Sequence, residues 1–218
     1  MQHGPCTVAG PRALKLPRQE PWPLQTCSRM RACAKTAGTC TPSSTVYAAV
    51  SYFGKTKLVF ATGTTGMVSK YTDPKTKQPY RGVCAQEYQD ILRDALLPQA
   101  AASIFAKGST RWATKWTWQQ DNASSHVAAS TIRLLAASCP KFIADWPPHS
   151  PDLSYIENMW SLLKRKVASR EPYASFAACK AAVQEEWDAI DVNVLQNCCD
   201  GVADRLERCI ELDGESIS

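Results

Sequence analysis

Residues 118–126 read WQQDNASSH and residues 145–160 read DWPPHSPDLSYIENMW. In the first stretch, residues 116–120 have the aromatic texture of a strand and run straight into Asp121-Asn122. A carboxylate just after a strand of an open α/β sheet lies where such sheets place their ligand sites. The competing role for Asp121 is to cap the helix that follows. Asn122 and His126 add polar groups beside it. In the second stretch, Ser150 reads as a helix N-cap, with Pro151 at the first helical position and Asp152 in the first turn. That helix is predicted to run to about residue 169, with Ile156, Trp160, Leu163 and Val167 along one face. Glu157 then falls about two turns into the helix at the border of its apolar face. There it is either a surface charge or a carboxylate aimed at the sheet edge. Asp145 reads as the surface end of a short strand over 142–146, broken by Pro147-Pro148.

Outward from these two stretches the pattern alternates. Residues 46–53 and 57–61 are apolar and β-branched around Gly54-Lys55-Thr56 and predict a hairpin. Gly54-Lys55-Thr56 is not a phosphate-binding loop, because Ala49 stands where that motif requires its first glycine. The polar stretch 63–81 reads as a loop. Residues 87–97 have Tyr88, Ile91, Leu92 and Ala95 at helical spacing, with Pro98 as the stop. Residues 124–138 predict another helix, with Val127, Ile132 and Leu135 among its apolar positions. Two further helices are expected over 173–189 and 193–210, and Gly214 marks a frayed end. Strands alternating with helices predict an α/β fold with a mixed sheet flanked by helices. Residues 1–44 show no periodicity and read as an irregular, basic, Cys- and Pro-rich segment preceding one domain over 45–218.

Composition excludes several classes. With 218 residues, 44% of them hydrophobic, the chain has room for one domain with a proper core and is too apolar for a disordered segment. It has no apolar run long enough to span a bilayer as a helix. The first twenty residues lack the apolar stretch of a secretory signal. The net charge of +5 is uneven: residues 1–72 carry nine Lys/Arg against the single acid Glu20. Such a basic third suits a polyanion, nucleic acid being the usual one, or is simply a solvated tail. The ten cysteines contain no C-x2-C pair, which argues against structural zinc, and they are expected to be reduced thiols. Of the adjacent Cys198 and Cys199, one is expected buried and one facing outward.

QQDNASSH (119–126) followed by DWPPHSPDLSYIENMWSLLKRKV (145–167) resembles the signature of the Tc1/mariner transposases, members of the DDE group of ribonuclease-H-like nucleases. The resemblance extends over about residues 45–215: VYAAVSYFGKTKLVF (46–60) is similar to the family's central hairpin and EYQDILRDALLP (87–98) to its first helix. Thirty-five residues separate Asp121 from Glu157, within the mid-thirties spacing of such enzymes, while Ser154-Tyr155 replaces the family's usual Asn-Pro. The resemblance implies a ribonuclease-H-like sheet in which Asp121 and Glu157 are the second and third catalytic carboxylates and the metal ligands. It also implies Mg²⁺ or Mn²⁺ as cofactor, with two ions about 4 Å apart driving in-line attack on a phosphodiester. The implied activity is DNA strand cleavage and strand transfer in DNA transposition. The implied partners are transposon ends and target DNA, with no membrane; a homodimer is compatible, and the DNA substrate places the protein in the nucleus. Asn122 and His126 would support the site, and Lys164, Arg165 and Lys166 would meet DNA phosphates.

The family's first aspartate belongs on the strand before the hairpin, yet residues 1–72 contain no aspartate. The expectation is therefore a first strand that is missing or degenerate, in a transposase domain truncated at its N-terminus and left with two of three carboxylates. The alternative is a catalytically inactive, domesticated or decayed remnant that binds DNA or serves as a scaffold.

Overall fold

The computed structural model describes residues 24–26, 30–33, 43–61, 68–104, 116–148, 150–215 and 217. Glu20 lies outside them. The central sheet has five strands, and its middle is built from segments far apart in sequence. In chain order these are β1 (Leu24–Thr26), β4 (Ala49–Ser51), β5 (Gly54–Lys55), β9 (Thr117–Gln119) and β10 (Lys141–Phe142), arranged β10-β9-β1-β4-β5. Strand β1 runs parallel to β9, with Gln25 opposite Gln119, and antiparallel to β4, with Gln25 opposite Val50. A second sheet joins β2 (Met30–Cys33), β3 (Ser43–Tyr47) and β6 (Val59–Phe60), all antiparallel. Residues 24–26 and 30–33, expected to be irregular, thus supply strands to both sheets, and β3 spans the expected boundary at residue 44. The strand expected before the hairpin to be missing or degenerate is present as Leu24-Gln25-Thr26, between β9 and β4, and it carries no carboxylate.

The predicted hairpin forms, but its turn lies earlier than expected. Val50 pairs with Lys55 and Ser51 with Gly54, so Tyr52-Phe53 make the reversal and Gly54-Lys55 already belong to the returning strand. Ser51 fixes the corner: its hydroxyl accepts from Phe53 N at 3.1 Å. Gly54 leaves it at φ +153°, a conformation that disfavours a side chain. Beyond the hairpin, Thr56 Oγ1 accepts from Ala49 N at 2.9 Å while Thr56 N donates to the Ala49 carbonyl. The stretch expected to be a loop over 63–81 contains a separate antiparallel pair, β7 (Val68–Thr72) and β8 (Pro79–Arg81).

Pro98 does not end its helix. After α1 (Ala85–Ile91) the backbone passes through a π-helical turn (Leu92–Leu96), a short α2 (Leu97–Gln99) and a second π turn (Ala100–Ile104). Proline lacks the N–H that an α-helix would donate four residues back, and the wider π register absorbs that loss, after which the alanine-rich PQAAASI continues helical. Four more helices follow among the described residues: α3 (Ala129–Ser138), α4 (Tyr155–Ala168), α5 (Phe176–Asp188) and α6 (Val192–Glu211). Helix α3 starts five residues later than predicted, which leaves Val127 outside it and 47% exposed, whereas Leu135 is fully buried.

The core centres on aromatic side chains that also tie elements together. Ile156, Trp160, Leu163 and Val167 of α4 are all buried, as the predicted apolar face requires. Trp160 stacks on Trp187 of α5 with ring centroids 5.0 Å apart. Trp187 Nε1 donates to the Thr56 carbonyl at 2.8 Å, and Tyr155 Oη donates to the Val50 carbonyl at 3.0 Å. The two helices are thereby pinned to the hairpin. Lys55 adds a cation to the C-terminal end of α5, its ammonium donating to the Ile190 carbonyl at 2.6 Å; burial holds its pKa below the ordinary value.

Candidate active site

Asp121 sits two residues beyond β9, at the carboxyl end of the central sheet. It does not cap α3, whose N-cap is Ala128. Its Oδ1 instead accepts from Ala123 N at 3.2 Å and lies 2.5 Å from His126 Nδ1. That approach has the distance of an ion pair but not the alignment of a hydrogen bond. His126 is fully buried, its ring 4.0 Å from the Tyr88 ring and 6.2 Å from the Tyr47 ring. Gln120 locks this loop from behind: its Nε2 donates to the His126 carbonyl at 3.0 Å, while its Oε1 accepts from Tyr88 Oη at 2.9 Å. Thr131 Oγ1 donates to the Ser125 carbonyl at 2.8 Å. The carboxylate of Asp121 is therefore carried on a short loop braced by helix α1, strand β9 and helix α3.

Glu157 comes from the other stretch, but not from the predicted position. Pro151 does not begin the helix; residues 151–153 form a turn, with Ser154 N donating to the Pro151 carbonyl at 3.1 Å. Ser154 is the N-cap, so Glu157 is the third residue of α4, in its first turn rather than two turns in. There the helix dipole favours an anion. Asp152 lies before the helix, and its Oδ2 accepts from Ile217 N at 3.0 Å. Asp145 is exposed, as expected.

The two carboxylates meet in one cleft of about 390 Å³, lined by Asp121, Asn122 and Glu157 and walled by Trp146, Pro147 and Pro151. Its two halves are tied across 24 residues of chain by Asn122, whose Nδ2 donates to the Trp146 carbonyl at 2.6 Å. Asn122 and His126, read from sequence as accessories, are thus the groups that hold the loop of Asp121 to its neighbours. Gln120 and Trp146 were not singled out from sequence. Gln120 directly follows β9, and the strand's own sequence Thr-Trp-Gln carries no pattern that would mark it. Lys164 and Arg165 are exposed on α4, away from its apolar face, whereas Lys166 faces Glu186 of α5 at 3.5 Å.

A hard dication prefers carboxylate oxygens and keeps several waters. Asp121 and Glu157 in one cleft fit one such ion. A pair of ions needs a shared third carboxylate, and no group of three His, Cys, Asp or Glu side chains suited to a metal occurs among the described residues. The six cysteines with described side chains, from Cys84 to Cys209, are free thiols; Cys199 is buried and Cys198 half-buried.

The DDE superfamily endonuclease family matches residues 86–180. The chain is 36% identical over 102 residues to the Tc3 transposase of Caenorhabditis elegans, a span of 46% of this chain and 31% of the relative. It is 28% identical over 130 residues to the Tcb1 transposase of Caenorhabditis briggsae, a span of 58% of this chain and 43% of that protein. The chain thus spans less than half the length of these relatives. In fold it is similar to the catalytic domain of Mos1 mariner transposase, with a TM-score of 0.67 at 16% identity, over 89% of this chain and 83% of that one. Residues 86–180, which hold both Asp121 and Glu157, accordingly carry the DDE superfamily endonuclease pattern, in a chain similar to Tc1- and Tc3-type transposases and folded like the mariner catalytic domain.

Proposed function

We propose that this chain is a DNA-directed domain of the Tc1/mariner transposase type, in which Asp121 and Glu157 hold a single Mg²⁺ or Mn²⁺ beside a bound DNA backbone, and that residues 1–218 by themselves bind DNA without robustly cutting it. The observation that carries this reading is the convergence of Asp121 and Glu157 on one cleft, with Asn122 bridging its walls. Support for the metal comes from the Mos1 transposase catalytic domain, solved with Mg and with Mn. Support for DNA comes from the Mos1 paired-end complex with the left transposon end.

A bound dication would polarise a phosphoryl oxygen or its own water. The protein's part is positional. The Ala123 amide and the buried His126 engage Asp121 Oδ1, and the first turn of α4 presents Glu157. Trp146 and the prolines that line the cleft form an apolar wall that limits water on one side of it. Lys164 and Arg165, exposed on the same helix as Glu157, supply cations for the flanking phosphates. A nuclear location and a homodimer accompany this reading.

The test has two parts. Mn²⁺ should raise the melting temperature of the chain, and Asp121→Asn or Glu157→Gln should abolish that rise; an undiminished rise in both variants removes the assigned ligands. With Mg²⁺ or Mn²⁺ and supercoiled plasmid, nicking should stay at background. Nicking that disappears in Asp121→Asn would instead establish a working nuclease.

A further inference from the structure

The pair β7–β8 forms a two-stranded sheet of its own, apart from the two larger sheets. From Thr72 to Gln78 every residue is exposed except the half-buried Asp73, and the two strands pack chiefly on each other. Its turn is nevertheless closed by several bonds. Asp73 N donates to the Gln78 carbonyl and Lys77 N to the Asp73 carbonyl, both at 2.9 Å. The Asp73 carboxylate accepts from Lys75 N at 2.7 Å and from Thr76 N at 3.3 Å. Lys77 is held at φ +56°, in the left-handed region. An isolated two-stranded hairpin is marginal in water, so a turn this fully bonded serves to present what it carries.

What it carries is positive charge. Residues 68–81 contain Lys70, Lys75, Lys77 and Arg81 against Asp73 alone, and that one carboxylate is occupied with main-chain amides. Lys75 and Lys77 are both exposed, and neither forms an ion pair among the described residues. Arg93, Lys166, Arg170 and Arg208 are each paired with a carboxylate, whereas Lys75 and Lys77, like the exposed Lys164 and Arg165, form no ion pair among the described residues.

We infer that the β7–β8 turn is a docking element for the phosphate backbone of duplex DNA, with Lys75 and Lys77 as its contacts. This rests on the DNA-directed reading above and adds a surface outside the carboxylate cleft. Two ammonium groups two residues apart on a fixed turn suit successive phosphates, whose condensed counterions they displace on binding.

The test is binding of the whole chain to a fluorescein-labelled duplex between 50 and about 200 mM salt, the range over which such contacts change affinity most visibly. The variant Lys75→Gln/Lys77→Asn removes both charges while asparagine tolerates the left-handed position; Lys75→Arg/Lys77→Arg keeps them. The neutral variant should bind more weakly, and its plot of log affinity against log salt should be shallower by about two, roughly 0.9 for each lost phosphate contact. The arginine variant should match the native chain. If the neutral variant binds with native affinity and salt slope, the turn is not a DNA contact, although the function proposed above stands. If the native chain binds no duplex at 50 mM salt, about the most favourable condition, the turn assignment and the DNA-directed reading fall together. An acidic protein captured in place of DNA would also overturn the assignment.

Discussion

His126 Nδ1 lies 2.5 Å from Asp121 Oδ1, joining a side chain with no exposure to one that is 39% exposed. The contact links the core to the cleft: the ring is clamped by Tyr88 and Tyr47, and the carboxylate it touches opens toward Glu157. A ligand whose own partners are fixed keeps its orientation. The histidine therefore has two separable roles, filling the core and aiming Asp121.

These roles predict different outcomes for two substitutions. His126→Ala removes a fully buried ring and should destabilise the chain by about 2–4 kcal/mol in urea denaturation, as other large-to-small core changes do. His126→Phe keeps a ring against Tyr88 but lacks Nδ1. It should retain most of the stability while losing most of the Mn²⁺-induced rise in melting temperature. A phenylalanine variant with a native Mn²⁺ response would show that the ring serves packing alone.

Asn122 gives a second prediction. Its single bond to the Trp146 carbonyl crosses an exposed gap, so Asn122→Ala should cost only about 0.5–1.5 kcal/mol. The local effect should be larger than the global one. Amide exchange over residues 145–150 should accelerate while exchange in α4 and α5 stays native. Uniform acceleration across the domain would contradict a local tether.

Much of this was legible in the sequence where spacing carries information. The apolar face of α4 could be read from Ile156, Trp160, Leu163 and Val167 because a helix repeats. The pairing of Asp121 with Glu157 came from a motif, since no periodicity relates two residues on different elements. The start of α4 was misread because Ser150-Pro151 satisfies the local rules for a helix start, whereas the chain spends residues 151–153 on a turn and caps with Ser154. Pro98 was misread as a stop because a change to π register leaves no mark in composition. The β7–β8 pair leaves no such mark: its turn from Thr72 to Gln78 is exposed apart from the half-buried Asp73, so no hydrophobic pattern announces it. The Asn122–Trp146 bond depends on two loops meeting and has no local signal at all.

Trp160 and Trp187 provide a third prediction because they are stacked yet differently bonded. Trp187 Nε1 donates to the Thr56 carbonyl, whereas Trp160 Nε1 is buried without an acceptor among the described residues. Replacing either by phenylalanine removes similar volume. Trp187→Phe also takes the partner from a buried carbonyl, a further cost of about 1–3 kcal/mol. Trp187→Phe should therefore be the more destabilising of the two in urea denaturation. Equal losses would mean that the bond to Thr56 contributes nothing net.

The buried thiols should weaken the fold at alkaline pH. Cys139, at the end of α3, and Cys199, inside α6, each have a pKa pushed from the ordinary 9.0 up to about 12. Burial is the main cause in both, because a thiolate loses its hydration there; at Cys199 a hydrogen bond with Tyr155 acts in the opposite direction. The neutral thiol is thus favoured in the folded chain relative to the unfolded one. Its contribution is fully present below pH 9, shrinks as the unfolded thiols ionise, and is gone once pH passes about 12. The melting temperature should accordingly show no thiol-linked change from pH 7 to 8 and should fall above pH 9. Cys139→Ala/Cys199→Ala should be less stable at neutral pH, through lost packing, but should show a flatter alkaline decline. The same thiols should resist alkylation at pH 8, below even the ordinary value of 9.0, until the chain is unfolded. Rapid modification of Cys139 or Cys199 in the native protein, or an alkaline decline unchanged in the double variant, would assign the loss of stability to other groups.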